Sequence, residues 1–440
     1  MEVWGMCIKV TGRVGGVRLL LKRPSVAIVH RVDRGEGDNL SELRELCRTA
    51  GYQVVYELKQ VRPPHPEYHI GPGKVEELKK VVKMLGIEKV VFENELKPVQ
   101  EYNLAKELKV PILTRTKLIL EIFSLHASSL EAKLQIKLAE LKYELSRAKE
   151  KVRLAKKGEQ PGFHGLGAYE ADVYYDEIHR RIVSISRKLE SIKRHMDLIR
   201  LERRKRGLPM ISLAGYTNAG KSTLFNALAR ENVPVDSRLF TTLTPTTRVV
   251  RLAGKPVFLS DTVGFIKNLP TLLVEAFYAT LREIALSDLI LLVADASDPT
   301  DKLREKIETS LQILYNIGAH DVPILLVLNK ADLVDRDELE LKIEELDLDL
   351  PHVIISAKYG WGLEELQERV SELLRGFIKV ETTLPYTEEA AKILDEIFRN
   401  SRVDFLNYEN ESIRLRAEMP IQLAEKIRRK FNNGGFKIIR

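Results

Sequence analysis

Cysteine is nearly missing from this 440-residue chain, which holds only Cys7 and Cys47. Two thiols build neither a disulfide framework nor a CxxC metal knuckle, so a reducing compartment, the cytoplasm by default, is expected. Long apolar runs are missing too. Leu289 to Ala294 and Ile324 to Leu328 have strand length, against the ~20 residues a bilayer-spanning helix needs, so no membrane span is expected. Proline (18) and glycine (25) are too thinly spread for a disordered or collagenous chain, and 44% apolar with 30% charged residues is a globular composition. Glutamine is scarce, a bias that accompanies heat-stable ion-pair chemistry. Residues 1–24 show neither a signal-peptide cleavage pattern nor a strong element and read as an N-terminal arm.

What the chain does have is unevenly placed positive charge. Lys plus Arg number 70 and Asp plus Glu 63, a formal net charge of +7. Between Leu130 and Arg206 there are 20 basic and 12 acidic residues, so this one stretch carries the whole excess. A polyanion partner selects such a field, because each neutralised phosphate releases counterions. A solvated helix face is the alternative.

Four regions follow the arm. From Ser25 to about Phe123, apolar strands (Val26 to Val32, Val54 to Leu58, Val90 to Phe92, Pro111 to Leu113) alternate with helices (Leu40 to Thr49, Val75 to Leu85, Val99 to Leu108). This is the pattern of a parallel sheet with crossover helices, assigned to residues 25–129. In residues 130–207, steps of three and four link Leu130, Leu134, Leu138, Leu141, Leu145, Ala148, Val152 and Ala155. The same steps link Ile178, Ile182, Ile185, Leu189, Ile192, Met196 and Ile199. Two amphipathic helices of roughly 30 residues or fewer are expected, broken by the glycine-rich tip Lys157 to Asp172, with Arg203 to Gly207 as a hinge. Residues 208–380 read as a doubly wound α/β domain with strands at Met210 to Ala214, Pro256 to Leu259, Leu289 to Ala294, Ile324 to Leu328 and His352 to Ile355. Residues 381–440 read as a small α+β domain.

The chemistry lies in the third region. Gly215, Tyr216, Thr217, Asn218, Ala219, Gly220, Lys221 and Ser222 match GxxxxGK[ST] between an apolar strand and a helix, with Thr223 next in the pocket. Loop amides and the helix N-terminus face phosphates there, Lys221 reaches the β and γ groups, and the Ser222 hydroxyl binds Mg²⁺. Asp261, Thr262, Val263 and Gly264 close a strand, offering a carboxylate to hold Mg²⁺ through water and an amide for the γ-phosphate. Asn329, Lys330, Ala331 and Asp332 follow another strand. The Asp332 carboxylate accepts from guanine N1 and N2, a donor pair that adenine lacks. Ser356, Ala357 and Lys358 complete the base pocket. GTP is the expected substrate, with Mg²⁺.

The run Arg238 to Arg248, RLFTTLTPTTR, resembles the first switch of the HflX family of GTPases, and Asp261 to Ile266, DTVGFI, its second. Val90 to Leu96, Leu118 to Phe123 and Glu131 to Tyr143 are similar to signature segments of HflX N-terminal domains. The resemblance spans roughly residues 25 to 378. It implies a ribosome-associated GTPase that binds the large subunit and its rRNA and helps separate or rescue stalled ribosomes. It also implies that Phe240, Thr241, Thr242, Leu243 and Thr244 face the nucleotide, that Thr242 gives the second Mg²⁺ hydroxyl, and that Lys221, Thr242 and Gly264 assist catalysis. The tip lacks most of the long glycine-rich loop of bacterial members, and the last 60 residues lie outside the resemblance. An RNA-modifying GTPase and a large-subunit assembly GTPase are the alternatives, and a monomer is expected in the free state.

Phe265 stands where many GTPases carry the glutamine that orients water; it reads either as a loss of that group or as a core residue. Asn218 occupies the loop position that helps hold K⁺ in potassium-stimulated GTPases, and an Asn that merely shapes the loop is the alternative. His65 and His69 bracket Pro66 and form no helical ligand pair. Gly71 to Lys74 reads as a helix-entry turn, and a phosphate site that would serve nucleotide or RNA binding is the alternative.

Overall fold

The computed structural model describes residues 23–35, 37, 39–156, 168–205, 207–229, 246–262, 264–267, 281, 283–347, 349–409, 411–431 and 436–439. The N-terminal arm up to residue 22, the tip 157–167 and the first-switch residues Phe240, Thr241, Thr242, Leu243 and Thr244 lie outside them, as does Val263.

The first unit alternates β1 (Ser25–Val32), α1 (Leu40–Thr49), β2 (Gln53–Val61), α2 (Pro72–Leu85), β3 (Lys89–Phe92), α3 (Pro98–Leu108) and β4 (Ile112–Thr114). The sheet order is β2-β1-β3-β4, every pairing parallel. β1 is buried along nearly its whole length, as a central parallel strand covered on both faces must be. Pro72 and Pro98 start α2 and α3, where a missing N–H costs nothing. α4 (Arg115–His126), which the sequence pattern did not separate, follows β4 directly and is capped by Thr114, whose hydroxyl accepts from the Lys117 amide at 3.4 Å. Its Leu118, Ile119, Ile122 and Phe123 are fully buried.

α5 (Leu130–Lys156) and α6 (Ala168–Lys205) form the expected antiparallel pair. α6 is longer than periodicity implied and runs as helix through Arg203 to Lys205, so those three residues of the expected hinge are helical, while Gly207 beyond the helix has a left-handed φ of 69°. α5 has a second apolar face. Ala132, Ile136 and Ala139 join a core cluster with α1 and α4, while Arg147 donates to the Leu96 carbonyl at 2.7 Å and Glu101 at 2.6 Å. Leu130, the expected start of the seam, is exposed.

The second α/β unit has β5 (Met210–Ala214), α7 (Lys221–Ala229), β6 (Thr246–Leu252), β7 (Lys255–Asp261), β8 (Leu289–Asp295), β9 (Ile324–Asn329) and β10 (His352–Ile354). Helices Thr300–Asn316, Arg336–Leu346 and Leu363–Leu373 flank the sheet, whose order is β10-β9-β8-β5-β7-β6. Strand β6 was not expected. It pairs antiparallel with β7 through a turn at Ala253 and Gly254, both at positive φ (46° and 81°) as two-residue hairpin turns require.

The last sheet has order β12-β13-β11-β14, all antiparallel, built from β11 (Phe377–Pro385), β12 (Arg402–Tyr408), β13 (Ser412–Pro420) and β14 (Lys437–Ile439), with helices Glu388–Asn400 and Ile421–Lys430. This β-α-β-β-α-β arrangement is ferredoxin-like. The boundary expected between residues 380 and 381 falls inside β11, since alternate β11 residues, Val380 and Leu384 among them, belong to this core. The tip of the β6–β7 hairpin holds the module. Buried Lys255 Nζ meets Glu418, whose side chain is 12% exposed, at 2.7 Å, and Arg251 donates to the carbonyls of Phe398, Arg399 and Ser401 at 2.7–3.2 Å. Among the described residues, no helix is long and apolar enough to cross a membrane.

Candidate functional site

The phosphate loop leaves β5 at Gly215 and enters α7 at Lys221. Gly215 has φ 137°, and a Cβ there would lie 2.1 Å from the Val293 carbonyl oxygen; Gly220 has φ 93°, and a Cβ would lie 2.2 Å from Asn329 Nδ2. Neither position tolerates a side chain, so the motif glycines follow from close packing as well as turn geometry. Asn218 is also left-handed (φ 63°), a conformation Asn accepts more readily than most residues.

Lys221 is buried beneath this loop and donates to the carbonyls of Gly215 (3.1 Å) and Tyr216 (2.9 Å). Burial pushes its ammonium down to about 8, with Asp261 opposing the shift. The Ser222 hydroxyl donates to Asp261 Oδ2 at 2.7 Å, which brings the two expected Mg²⁺-side groups together. A hydroxyl and a carboxylate form a hard-oxygen donor set, which suits Mg²⁺. Thr262 turns away and donates to the Leu213 carbonyl at 2.6 Å. Gly264 has no room for a side chain: a Cβ would lie 2.7 Å from Thr217 Cγ2 and 3.0 Å from Lys221 Nζ.

Phe265 is 2% exposed and belongs to the core cluster, so the core-residue alternative describes its side chain. Its backbone is tied to the phosphate loop, the Phe265 amide donating to Gly215 O (3.0 Å) and the Thr217 amide to Phe265 O (2.8 Å).

At the base end, Asn329 is a bracket. Its Nδ2 donates to the Ala219 carbonyl at 2.9 Å and its Oδ1 accepts from the Ala357 amide at 3.0 Å, joining the phosphate loop to the last motif. Ser356 Oγ donates to Asp332 Oδ1 at 2.6 Å, which orients that carboxylate. Lys330 is left-handed (φ 67°) and pairs with Asp295 at 2.6 Å. Sequence reasoning missed Asp295; the available signal was a carboxylate at the carboxyl end of a buried parallel strand. Lys358 lies over the Tyr359 ring, which stacks on Trp361, both rings exposed. Thr223 sits half-buried in the first turn of α7, and Ala331 donates its amide to Ile355 O at 3.1 Å.

The remaining motifs lie elsewhere. His69 Nε2 accepts from buried Arg31 Nε (3.3 Å), and burial and Arg31 hold the imidazole down at about 4. The Gly71 amide donates to Gln60 at 2.8 Å and Lys74 pairs with Glu77, as in a helix-entry turn.

Three family models match the chain: "GTP-binding GTPase N-terminal" over residues 37–124, "GTP-binding GTPase Middle Region" over 126–203 and "50S ribosome-binding GTPase" over 210–330. Proteins named GTPase HflX are similar along most of their length. The Thermofilum pendens protein is 46% identical, covering 87% of this chain and 90% of its own. The Methanocaldococcus jannaschii protein is 41% identical, covering 85% and 94%, and the Escherichia coli protein is 35% identical, covering 87% and 90%. Among solved structures, a GTP-binding protein from the hyperthermophilic archaeon Sulfolobus solfataricus in complex with GDP is 30% identical over 80% of this chain and 98% of its own, with a TM-score of 0.46.

Proposed function

Since the chain belongs to the HflX family of GTPases and hydrolyses GTP to GDP and phosphate, we propose that it is a molecular switch that docks on the large ribosomal subunit and helps split or rescue ribosomes. The observation that carries the docking is the charged face of α6. His179, Arg180, Ser184, Arg187 and Lys188 are all exposed on it, and among the described residues none of the three cations has a carboxylate partner. Exposed guanidinium and ammonium groups along one helix face suit RNA phosphates. The family model over the GTPase domain carries the description of a 50S ribosome-binding GTPase, which agrees.

Each site residue then has a task. Lys221 leaves two loop carbonyls for the β and γ phosphates, the loop amides cradle those groups, and the Gly264 amide meets the γ-phosphate. Ser222 and Asp261 would hold Mg²⁺, which neutralises phosphate charge when bound; Thr242 would add the second hydroxyl by family resemblance. Asp332, oriented by Ser356, selects guanine. The nucleotide state sets the switch segments, and through them the basic hairpin and its fit to rRNA. The free protein is read as a cytoplasmic monomer.

Reversing the charges of Arg180, Arg187 and Lys188 tests the docking. The variant should bind GTP normally, co-sediment less with large subunits and lose most of their stimulation of hydrolysis; full stimulation would place docking elsewhere. Sedimentation with whole ribosomes, separated subunits and precursors distinguishes splitting from assembly. K⁺ is a further proposed cofactor at Asn218, although the left-handed backbone gives this Asn a structural reason as well. Faster hydrolysis in K⁺ than in Na⁺ at equal ionic strength supports the cation, and equal rates remove it.

A further inference from the structure

Tyr216, the second residue of the phosphate loop, makes its side-chain hydrogen bonds outside that loop. Its phenol donates to Glu42 Oε1 on α1 at 3.0 Å and accepts from the Lys267 amide at 2.7 Å. The same Glu42 oxygen takes Arg115 Nη2 at 2.9 Å, and Nη2 also donates to the Lys267 carbonyl at 3.0 Å. Arg115 is held in turn by both oxygens of Glu93, each at 2.9 Å. Tyr216, Arg115 and Glu93 are buried. Both polar groups of the Lys267 peptide are thus taken by a bridge rooted in the N-terminal unit.

The position of that peptide is what makes the bridge matter. Lys267 lies three residues after Gly264, and Phe265 between them is bonded at both its amide and carbonyl to the phosphate loop. Residues 264–267 are therefore fastened at one end by the loop itself and at the other by Tyr216 and Arg115. With Phe265 buried, no carboxamide side chain at this position can orient the attacking water. Backbone groups of the segment must meet water and γ-phosphate instead, and they stabilise a transition state only where their path is preorganised.

We propose that Glu42, on the N-terminal unit, is a positioning residue for GTP hydrolysis, acting through the Tyr216 hydroxyl on the Gly264–Lys267 segment. The hydroxyl-to-carboxylate bond is charge-assisted and therefore firm enough to hold the segment in place. Positioning of this kind presupposes only the hydrolysis of GTP and is independent of ribosome docking.

The variants Tyr216→Phe, Glu42→Ala, Glu42→Gln and the double variant Glu42→Ala with Tyr216→Phe separate positioning from simple adhesion between the two units. Tyr216→Phe removes one oxygen and keeps the ring, so it tests the idea even where Glu42→Ala folds poorly. Single-turnover hydrolysis should slow about 10- to 150-fold in Tyr216→Phe, which loses both bonds of the phenol, and in Glu42→Ala, which loses its bonds to the phenol and to Arg115. KM for GTP, GDP affinity and thermal midpoint of Tyr216→Phe should stay near wild type. Glu42→Gln, which keeps an acceptor for the phenol, should recover most of the rate, and the double variant should be no slower than the slower single one. An unchanged rate in Tyr216→Phe overturns the proposal. So does a rate loss in that variant matched by equal losses of GDP affinity and thermal midpoint, or additive losses in the double variant.

Discussion

At the scale of single residues, the site is a set of strand-end groups that hold one another. Asp332 is the sharpest case, since the carboxylate oriented by Ser356 at 2.6 Å is the group proposed to accept the two guanine donors. Asp332→Asn offers one donor and one acceptor, which suits xanthine. The GTP-to-XTP affinity ratio should fall by at least about 100-fold in competition binding; an unchanged ratio would refute the assigned pocket. Lys221 supplies a pH dependence. Burial sets its ammonium at about 8 in the free protein, whereas phosphates bind the charged form. Above pH 8 the free protein is increasingly neutral at this position and must take up a proton to bind, so affinity should fall, approaching tenfold per pH unit, and be flat below pH 7. Titration of GDP at pH 7, 8 and 9 checks this, and constant affinity across that range would contradict it. Motif residues were legible because their spacing is local. Asp295 and Glu42 were not, because their partners Lys330 and Tyr216 lie 35 and 174 positions away.

At the scale of elements, the β6–β7 hairpin joins two parts of the molecule. It leads from the first switch to Asp261, and its tip fastens the C-terminal sheet through Lys255 and Glu418. A largely buried pair of this kind punishes the loss of one partner more than the loss of both, since a lone charge is left without water. Glu418→Ala should lower stability by about 3 kcal/mol, while Lys255→Met combined with Glu418→Leu should be close to neutral. Denaturant midpoints decide: equal losses would mean that the pair contributes packing alone. β6 escaped sequence reading because its burial is irregular, with only Val250 and Leu252 buried. α4 escaped because its apolar residues surround much of the helix and leave little contrast. α5 was legible as a helix but not in its orientation, since Ala132, Ile136 and Ala139 form a second apolar face of small residues.

At the scale of the whole molecule, one apolar cluster runs from the N-terminal sheet through α4 and α5 to Phe265 and Ile266 of the GTPase unit. In the proposed function this continuity is the route by which the basic hairpin would respond to nucleotide in the GTPase unit. The proposed docking on rRNA should be salt-sensitive, and reversing Arg180, Arg187 and Lys188 should flatten the dependence of binding on log salt by about 3, one unit per lost phosphate contact. A retained slope would assign those contacts to other residues. The sequence by itself determined the fold class, the order of the units, guanine as the base and GTP as the substrate. These follow from signals local in the chain: strand and helix periods, and loops whose spacing must match one phosphate or one base. Only the tertiary structure decided that β11 belongs with the last sheet, that Phe265 is core, that Arg180, Arg187 and Lys188 share an exposed face of α6 and that Glu42 reaches the phosphate loop. Those facts depend on which distant surfaces meet, and burial and pairing energies choose among such meetings only once the chain has folded.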